Sequence, residues 1–385
     1  DPETEEPDSI LEKESRAGLR ELREKQWGVV GGTVYQLSKA DEESFLDLLI
    51  VDEASQMKFG ELSLVSELLA ADGRLVMAGD DLQLPPIING EYPEPADGRP
   101  PLHGSVFAYA RGRDEEPRVY TYPLQENWRM NSTLSRFPAS TIYFDEYGPA
   151  NPAVAGRSIK LDGTGAPDTD RMMRLCEWLC DPDYPMVLCI MENVRAVQAN
   201  PVEAFLAANV AAYLRDRLLD SHGRPYPVDR AGDALFWKEG LFIVSPHHAQ
   251  IHALRKELDK VRSPWHSSPF VDTVDKMQGQ ESQVVLVSYG VSDQEAAEGE
   301  ADFIYSLNRL NVAVTRAKAK CIVFLSRPLL EPSCDLLQND ETAAGVDHML
   351  NLLEFCRHYG EKRAIPLDFV AGAAGAALTV MRARV

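Results

Sequence analysis

The chain has 385 residues, 44% of them hydrophobic, which is globular material too long for one typical core and predicts two or three domains. Lysine and arginine number 39 against 60 aspartate and glutamate, a net charge of -21, which argues against wholesale electrostatic binding to nucleic acid or an anionic membrane and confines any nucleic-acid site to a local groove. The six cysteines form no C-x-x-C pair, nothing resembles a secretory signal, and no apolar stretch reaches the roughly 20 residues that span a bilayer, so the expectation is an intracellular protein, nuclear or cytoplasmic, with no membrane partner.

The opening "DPETEEPDS" is acidic and proline-containing, with the character of a linker or insertion remnant, and the chain reads as a piece of something longer. "LDLLIV" then predicts a buried strand of a parallel sheet, and it runs into two adjacent carboxylates, Asp52 and Glu53, at the strand end where open α/β sheets place ligands. "RLVMAG" predicts a second strand, followed by a polar turn with Gly79, Asp80 and Gln83. The Pro, Gly and charge content of residues 87–118 predicts a linker and a domain boundary. "VYTYPL", "PMVLCIM", "LFIVSP", "SQVVLVSYG" and "KCIVFLS" predict further strands. In "AQIHALRKELDKV" a helical stripe carries Ile251, Leu254, Leu258 and Val261, whereas the acidic "SDQEAAEGEAD" (292–302) reads as a solvated excursion. Cys176 and Cys180 share a helical face and read as core residues. The alternation as a whole predicts an α/β fold with parallel sheets covered by helices on both faces.

Paired acids at a strand end suit a nucleotide's magnesium and attacking water, but they normally work with a phosphate loop, G-x-x-x-x-G-K-[ST], and the sequence contains none. Arg129 follows a predicted strand, and Arg316 lies in a largely apolar stretch where a buried charge is costly unless paired. Their planar forks match phosphate oxygens. Gln278, Gly279, Gln280 and Glu281 form a polar turn before a continuous apolar strand. Singly, each segment also fits an ordinary loop, a surface cation or a polar αβ turn.

In order along the chain, "DEAS", "GDDLQLPP", "NWRM", "VDTVDKMQGQE" and "RLNVAVTRAK" resemble motifs II to VI of superfamily 1 helicases. The branch is superfamily 1B, typified by the nonsense-mediated-decay helicase, senataxin and the replication helicase-nuclease. "ANPVEA" and "SPHHAQ" are weaker matches, Trp128 stands where the family usually has tyrosine, and Asn308 where many members have arginine. The resemblance implies tandem RecA-like domains with an incomplete first one: residues 1–118 as the partial first domain with an acidic linker, 119–330 as the second, and 331–385 as a C-terminal extension. It further implies that Asp52 binds Mg2+, Glu53 polarises the attacking water, Gln83 senses the γ-phosphate of ATP, and Arg129 and Arg316 neutralise its developing charge. Gly279 and Glu281 would border the nucleotide. Thr33 of "VVGGTVYQL", and Ser245, Pro246 and Thr273 in the second domain, are the nominated contacts to single-stranded DNA or RNA. Travel from 5′ to 3′ is also what the family implies. The missing loop is expected in an upstream part of the same protein, so this chain by itself is expected not to hydrolyse ATP. The alternative is a catalytically inactive helicase-like nucleic-acid-binding or scaffold module.

Overall fold

The computed structural model describes residues 28–39, 45–88, 90, 92, 101–113, 116–117, 119–143, 145–163, 170–277 and 279–385. The acidic opening, Gln278 and much of the expected linker lie outside the described residues. The chain divides into two compact units, Asp1–Thr121 and Tyr122–Val385.

In the first unit the run "LDLLIV" forms strand β1 (Leu46–Val51). Helix α1 (Phe59–Ser66) follows, then β2 (Leu69–Met77), which pairs parallel with β1, and later α2 (Val106–Arg111). Alternation along the pleat sends Leu49 and Val51 into a small core with Ala54, Val65 and Leu68, against which Met77 and Phe107 pack. Among the described residues no layer covers the opposite face. Leu48, Ile50 and Val76 are 48%, 63% and 48% exposed, and Ile50 and Val76 are register partners across the two strands. The stretch expected to be a linker therefore contributes α2, anchored through buried Val106 and through Phe107.

The second unit is built on a seven-stranded sheet. In chain order its main elements are α3 (Ser132–Thr141), α4 (Arg171–Leu179), β3 (Met186–Glu192), α5 (Pro201–Arg217), β4 (Leu241–Val244), α6 (His248–Val261), β5 (Val271–Asp272), β6 (Ser282–Ser288), α7 (Leu307–Thr315), β7 (Ala317–Ser326), α8 (Asp340–His358), β8 (Gly360–Pro366) and β9 (Ala377–Ala383). The strand order is β8-β9-β3-β7-β6-β4-β5, parallel from β3 to β5, with β9 antiparallel to β3 and β8 antiparallel to β9. The near-continuous apolar runs are those of strands covered on both faces: six of the seven residues of β3 are buried, as are all four of β4. Helix α6 buries Ile251, Leu254 and Leu258 of the expected stripe and packs Val261 against the same core, each fully buried aliphatic contributing roughly 1.5–3 kcal/mol. Cys176 and Cys180 lie in that core. This is a RecA-like α/β sheet.

Two details depart from the sequence reading, and one adds to it. "VYTYPL" forms no strand, and Tyr120, Tyr122 and Leu124 are exposed, because an extended segment becomes a strand only where another strand offers it hydrogen bonds. Residues 292–302 are not wholly solvated: they coil into the helix Gln294–Gly299, burying Ala297, and the start of the helix Ala301–Ile304. The stretch after 330 supplies α8 and the β8–β9 hairpin, which extend the sheet past β3.

Candidate functional site

In the first unit Asp52 and Glu53 leave the carboxyl end of β1 in a tight turn, with the Glu53 N–H donating to Asp52 Oδ1 at 2.9 Å. Glu53 has φ 51°, in the left-handed region, which a non-glycine residue adopts at a cost of about 1–3 kcal/mol and which clusters at functional sites. Its carboxylate accepts from Gln56 Nε2 at 3.0 Å. The polar turn after β2 is locked to this one. Ala54 N–H donates to the Ala78 carbonyl at 2.8 Å, and a Cβ on Gly79 would stand 2.8 Å from the Ser55 nitrogen, so only glycine permits the approach. Within that turn Gln83 Nε2 donates to Asp80 Oδ2 at 3.0 Å, and Arg111 pairs with Asp81. Asp52, Glu53 and Gln83 thus stand on two interlocked turns at one end of the strand pair. Thr33 is exposed and caps the short helix Val34–Leu37 in a capping box with Gln36.

In the second unit the segment around Arg129 is tied to the start of β7. Asn127 Oδ1 accepts from the N–H groups of Arg129 and Met130, Asn131 N–H donates to the Lys318 carbonyl, and Asn131 Nδ2 donates to the carbonyls of Arg157 and Ala319. Arg129 then donates from Nε to Glu281 Oε2 at 2.7 Å and from Nη1 to the Thr315 carbonyl at 3.1 Å. Arg316, 3% exposed, is the C-cap of α7, and its carbonyl accepts from the Ser282 N–H that opens β6. Arg129, Glu281 and the Thr315–Arg316 step are therefore gathered at the amino ends of β6 and β7. Burial pushes the Glu281 carboxyl up, but hydrogen bonds from Lys318 and then Arg129 outweigh it and hold it below its ordinary value. Glu281 stays ionised and keeps both cations in place. Gly279 precedes it with φ 74° and open space where a side chain would stand.

Ser245, Pro246 and Thr273 sit just past the carboxyl ends of β4 and β5, the opposite end of the sheet from Arg129. Ser245 is fully buried and its hydroxyl accepts from the His247 N–H at 3.3 Å, so in this structure it fixes the loop and faces no solvent. Pro246 and Thr273 are half-buried. Behind this loop runs a buried chain of hydrogen bonds: Asn200 N–H to Gln250 Oε1 at 2.8 Å, Gln250 Nε2 to Ser288 Oγ at 2.8 Å, and Ser288 Oγ to Glu203 Oε1 at 2.7 Å. It joins "ANPVEA" to "SPHHAQ". Sequence reasoning missed its purpose, as it missed Lys318 and also Arg157, which donates to the Trp128 and Arg129 carbonyls at 2.7 Å each. Nothing in the local sequence around Lys318 or Arg157 signals these pairings.

No group of three or more metal-ligating side chains occurs among the described residues. An exposed Asp52 suits a Mg2+ that brings phosphate oxygens and waters with it, the usual arrangement in NTPases, and does not suit an all-protein cage. No helix among the described residues is long and apolar enough to cross a membrane.

Comparison with known proteins matches residues 105–327, more than half of the chain, to the AAA domain family. The chain is 25% identical over 320 residues to the DNA replication ATP-dependent helicase/nuclease dna2 of Schizosaccharomyces pombe, covering 80% of this chain and 20% of that one. It is 27% identical over 322 residues to the DNA-binding protein SMUBP-2 of Rattus norvegicus, covering 83% and 28%. To Helicase SEN1 of Saccharomyces cerevisiae it is 27% identical over 284 residues, covering 71% and 11%. It thus spans little more than a quarter of these relatives' lengths at most. A RecA-like sheet, acids and arginines on the strand ends and this match together place the chain: it belongs to the AAA domain family, and it is similar to helicases of the superfamily 1B type.

Proposed function

We propose that this chain is the C-terminal motor portion of an ATP-dependent helicase or translocase that moves along single-stranded DNA or RNA from 5′ to 3′. The observation that carries the reading is the strained turn at Asp52 and Glu53, locked against the Gln83 turn. A scaffold has no use for a left-handed glutamate at a strand end, whereas a hydrolase needs a carboxylate fixed before its substrate arrives. In this reading Asp52 would hold Mg2+, which would offset charge on the nucleotide's phosphates. Glu53 orients and polarises water, and Gln83 contacts the terminal phosphate without adding charge. Arg129 and Arg316 supply cations to the transferred phosphoryl group, Arg129 by exchanging its bond to Glu281 for one to phosphate. Gly279 leaves room for the nucleotide beside Glu281. Thr33, Pro246 and Thr273 contact the strand through hydroxyl and backbone groups, which needs little net positive charge. The partial first domain is residues 1–118, the second is 119–330, and 331–385 is an appended stretch that completes the sheet edge.

The phosphate loop is assigned to an upstream part of the same protein, and the 385-residue chain alone is expected to be inactive. The test is ATP hydrolysis with and without single strands, by this chain and by the longer protein, each as wild type and Glu53→Gln. Strand-stimulated hydrolysis by the longer protein alone, abolished by Glu53→Gln while ATP binding persists, is the expected result. Robust Glu53-dependent hydrolysis by the short chain would show the account of the loop to be wrong. A longer protein without a phosphate loop or hydrolysis would favour the scaffold.

A further inference from the structure

At the β8 edge of the second unit's sheet, away from the strand ends discussed above, a cleft of about 350 Å³ opens between α4 and β8. Its walls include Arg171, Arg174 and Arg363, its apolar surfaces Leu175, Ile365 and Phe369, and no acidic residue lines it. Arg129, Arg215 and Arg327, by contrast, each sit on a carboxylate. Arg171 does pair with Asp368 outside the lining, at 2.8 Å, and its guanidinium lies 4.5 Å from the Phe369 ring centre. Arg363 stands 5.6 Å from the Trp178 ring centre. Stacking on an aromatic face holds a guanidinium plane while leaving its N–H edge available.

The neighbouring Arg382 shows what a purely structural arginine looks like here. It is 4% exposed, lies 4.2 Å from the same Trp178 ring, and is satisfied by Glu361, Asp181 and the Trp178 carbonyl. Arg174 and Arg363 are exposed and make no ion pair among the described residues.

We propose that this cleft binds a nucleotide, with base and ribose against Leu175, Ile365 and Phe369 and phosphate on Arg174 and Arg363. A mostly apolar pocket of this size with a few convergent cations is the usual form of a small-ligand site, and planar forks match phosphate oxygens in pairs. The nucleotide is either free or one unit of a single strand; the second source rests on the helicase reading and the first does not.

The experiment titrates the 385-residue chain with AMP and, separately, with a short fluorescein-labelled oligothymidylate, comparing wild type with the Arg174→Ala, Arg363→Ala double variant. Crosslinking with 8-azido-AMP and with a 4-thiothymidine oligonucleotide reports where each probe sits. The expected result is a loss of about tenfold or more in affinity for one probe, with an unchanged melting temperature and crosslinks on peptides holding Trp178 or Phe369. Loss for AMP alone assigns the free nucleotide, and loss for the oligonucleotide assigns the strand. Should the alanine pair fail to fold, Arg174→Lys with Arg363→Lys keeps the charge but loses the fork, and a smaller loss is expected. Unchanged affinity for both probes, crosslinks wholly outside the cleft, or a wild type that binds neither probe overturns the proposal. So does a polyglutamate peptide that alone depends on the two arginines, since that makes the cleft an acidic-peptide site. A chain that binds oligothymidylate independently of the cleft sinks this site and leaves the helicase reading standing, which Glu53→Gln tests separately.

Discussion

Glu203 offers the sharpest thermodynamic test. It lies on α5 with no exposure, accepting from Ser288 Oγ at 2.7 Å and the Gly290 N–H at 3.0 Å through Oε1, while Oε2 has no partner among the described residues. Burial pushes its carboxyl up to about 8, against the opposing pull of hydrogen bonds from Ser288, Gly290 and Tyr289. The folded protein therefore holds a neutral Glu203 at pH 7, whereas the unfolded chain ionises it near the ordinary value. The favourable contribution is fully present below that ordinary value and is lost as pH rises through about 8. From 4.5 to about 8, at roughly 1.4 kcal/mol per pH unit, the loss is about 5 kcal/mol. Glu203→Gln keeps the shape and stays neutral at every pH. Urea unfolding of both proteins across the range from about pH 5 to pH 9 should then show near-equal stability at the acid end and a variant several kcal/mol more stable at the alkaline end. A stability difference that stays constant with pH would mean that Glu203 is ionised in the fold, and would refute the reasoning.

Two further outcomes are expected. In the longer protein, Arg129→Ala and Arg316→Ala should each lower kcat, and the double change should cost less than the two together because residues acting on one phosphoryl group are not additive; full additivity, or a fall in melting temperature that accounts for the whole loss, would assign Arg316 to anchoring. Gly345→Ala in α8 would set a Cβ 1.4 Å from the Tyr305 carbonyl oxygen, so despite alanine's helix preference it should lower stability by about 1–3 kcal/mol or more, read from the urea midpoint. Stabilisation by that change would show that the approach of α8 to Tyr305 is looser than described.

What could be read from sequence was what local pattern determines. The run before Asp52 had to be a strand because it is continuously apolar, and a strand followed by two carboxylates put them at its carboxyl end. Helix α6 was legible from the spacing of Ile251, Leu254 and Leu258. Pairing across the chain was not legible. Nothing near Glu281 says that it holds both Arg129 and Lys318, and nothing near Arg157 says that it carries the Trp128 and Arg129 carbonyls. "VYTYPL" misled for the same reason: alternation gives a segment the capacity to be a strand, but a neighbour has to accept it. Strand β8, "GEKRAIP", was passed over because an edge strand is mostly exposed and carries little apolar signal.

The exposed face of β1 and β2 has a consequence for how Asp52 and Glu53 come to be held. Two parallel strands covered on one side are a weak platform, since such sheets draw their stability from layers on both faces. The Glu53 turn stores about 1–3 kcal/mol of strain on that platform, an amount a thinly supported sheet can release by local fraying. Burial of Leu48, Ile50 and Val76 would also stiffen the turn, so the packing of that face and the geometry of the carboxylates are thermodynamically linked. Amide exchange at Asp52 and Glu53 should slow when the face is covered.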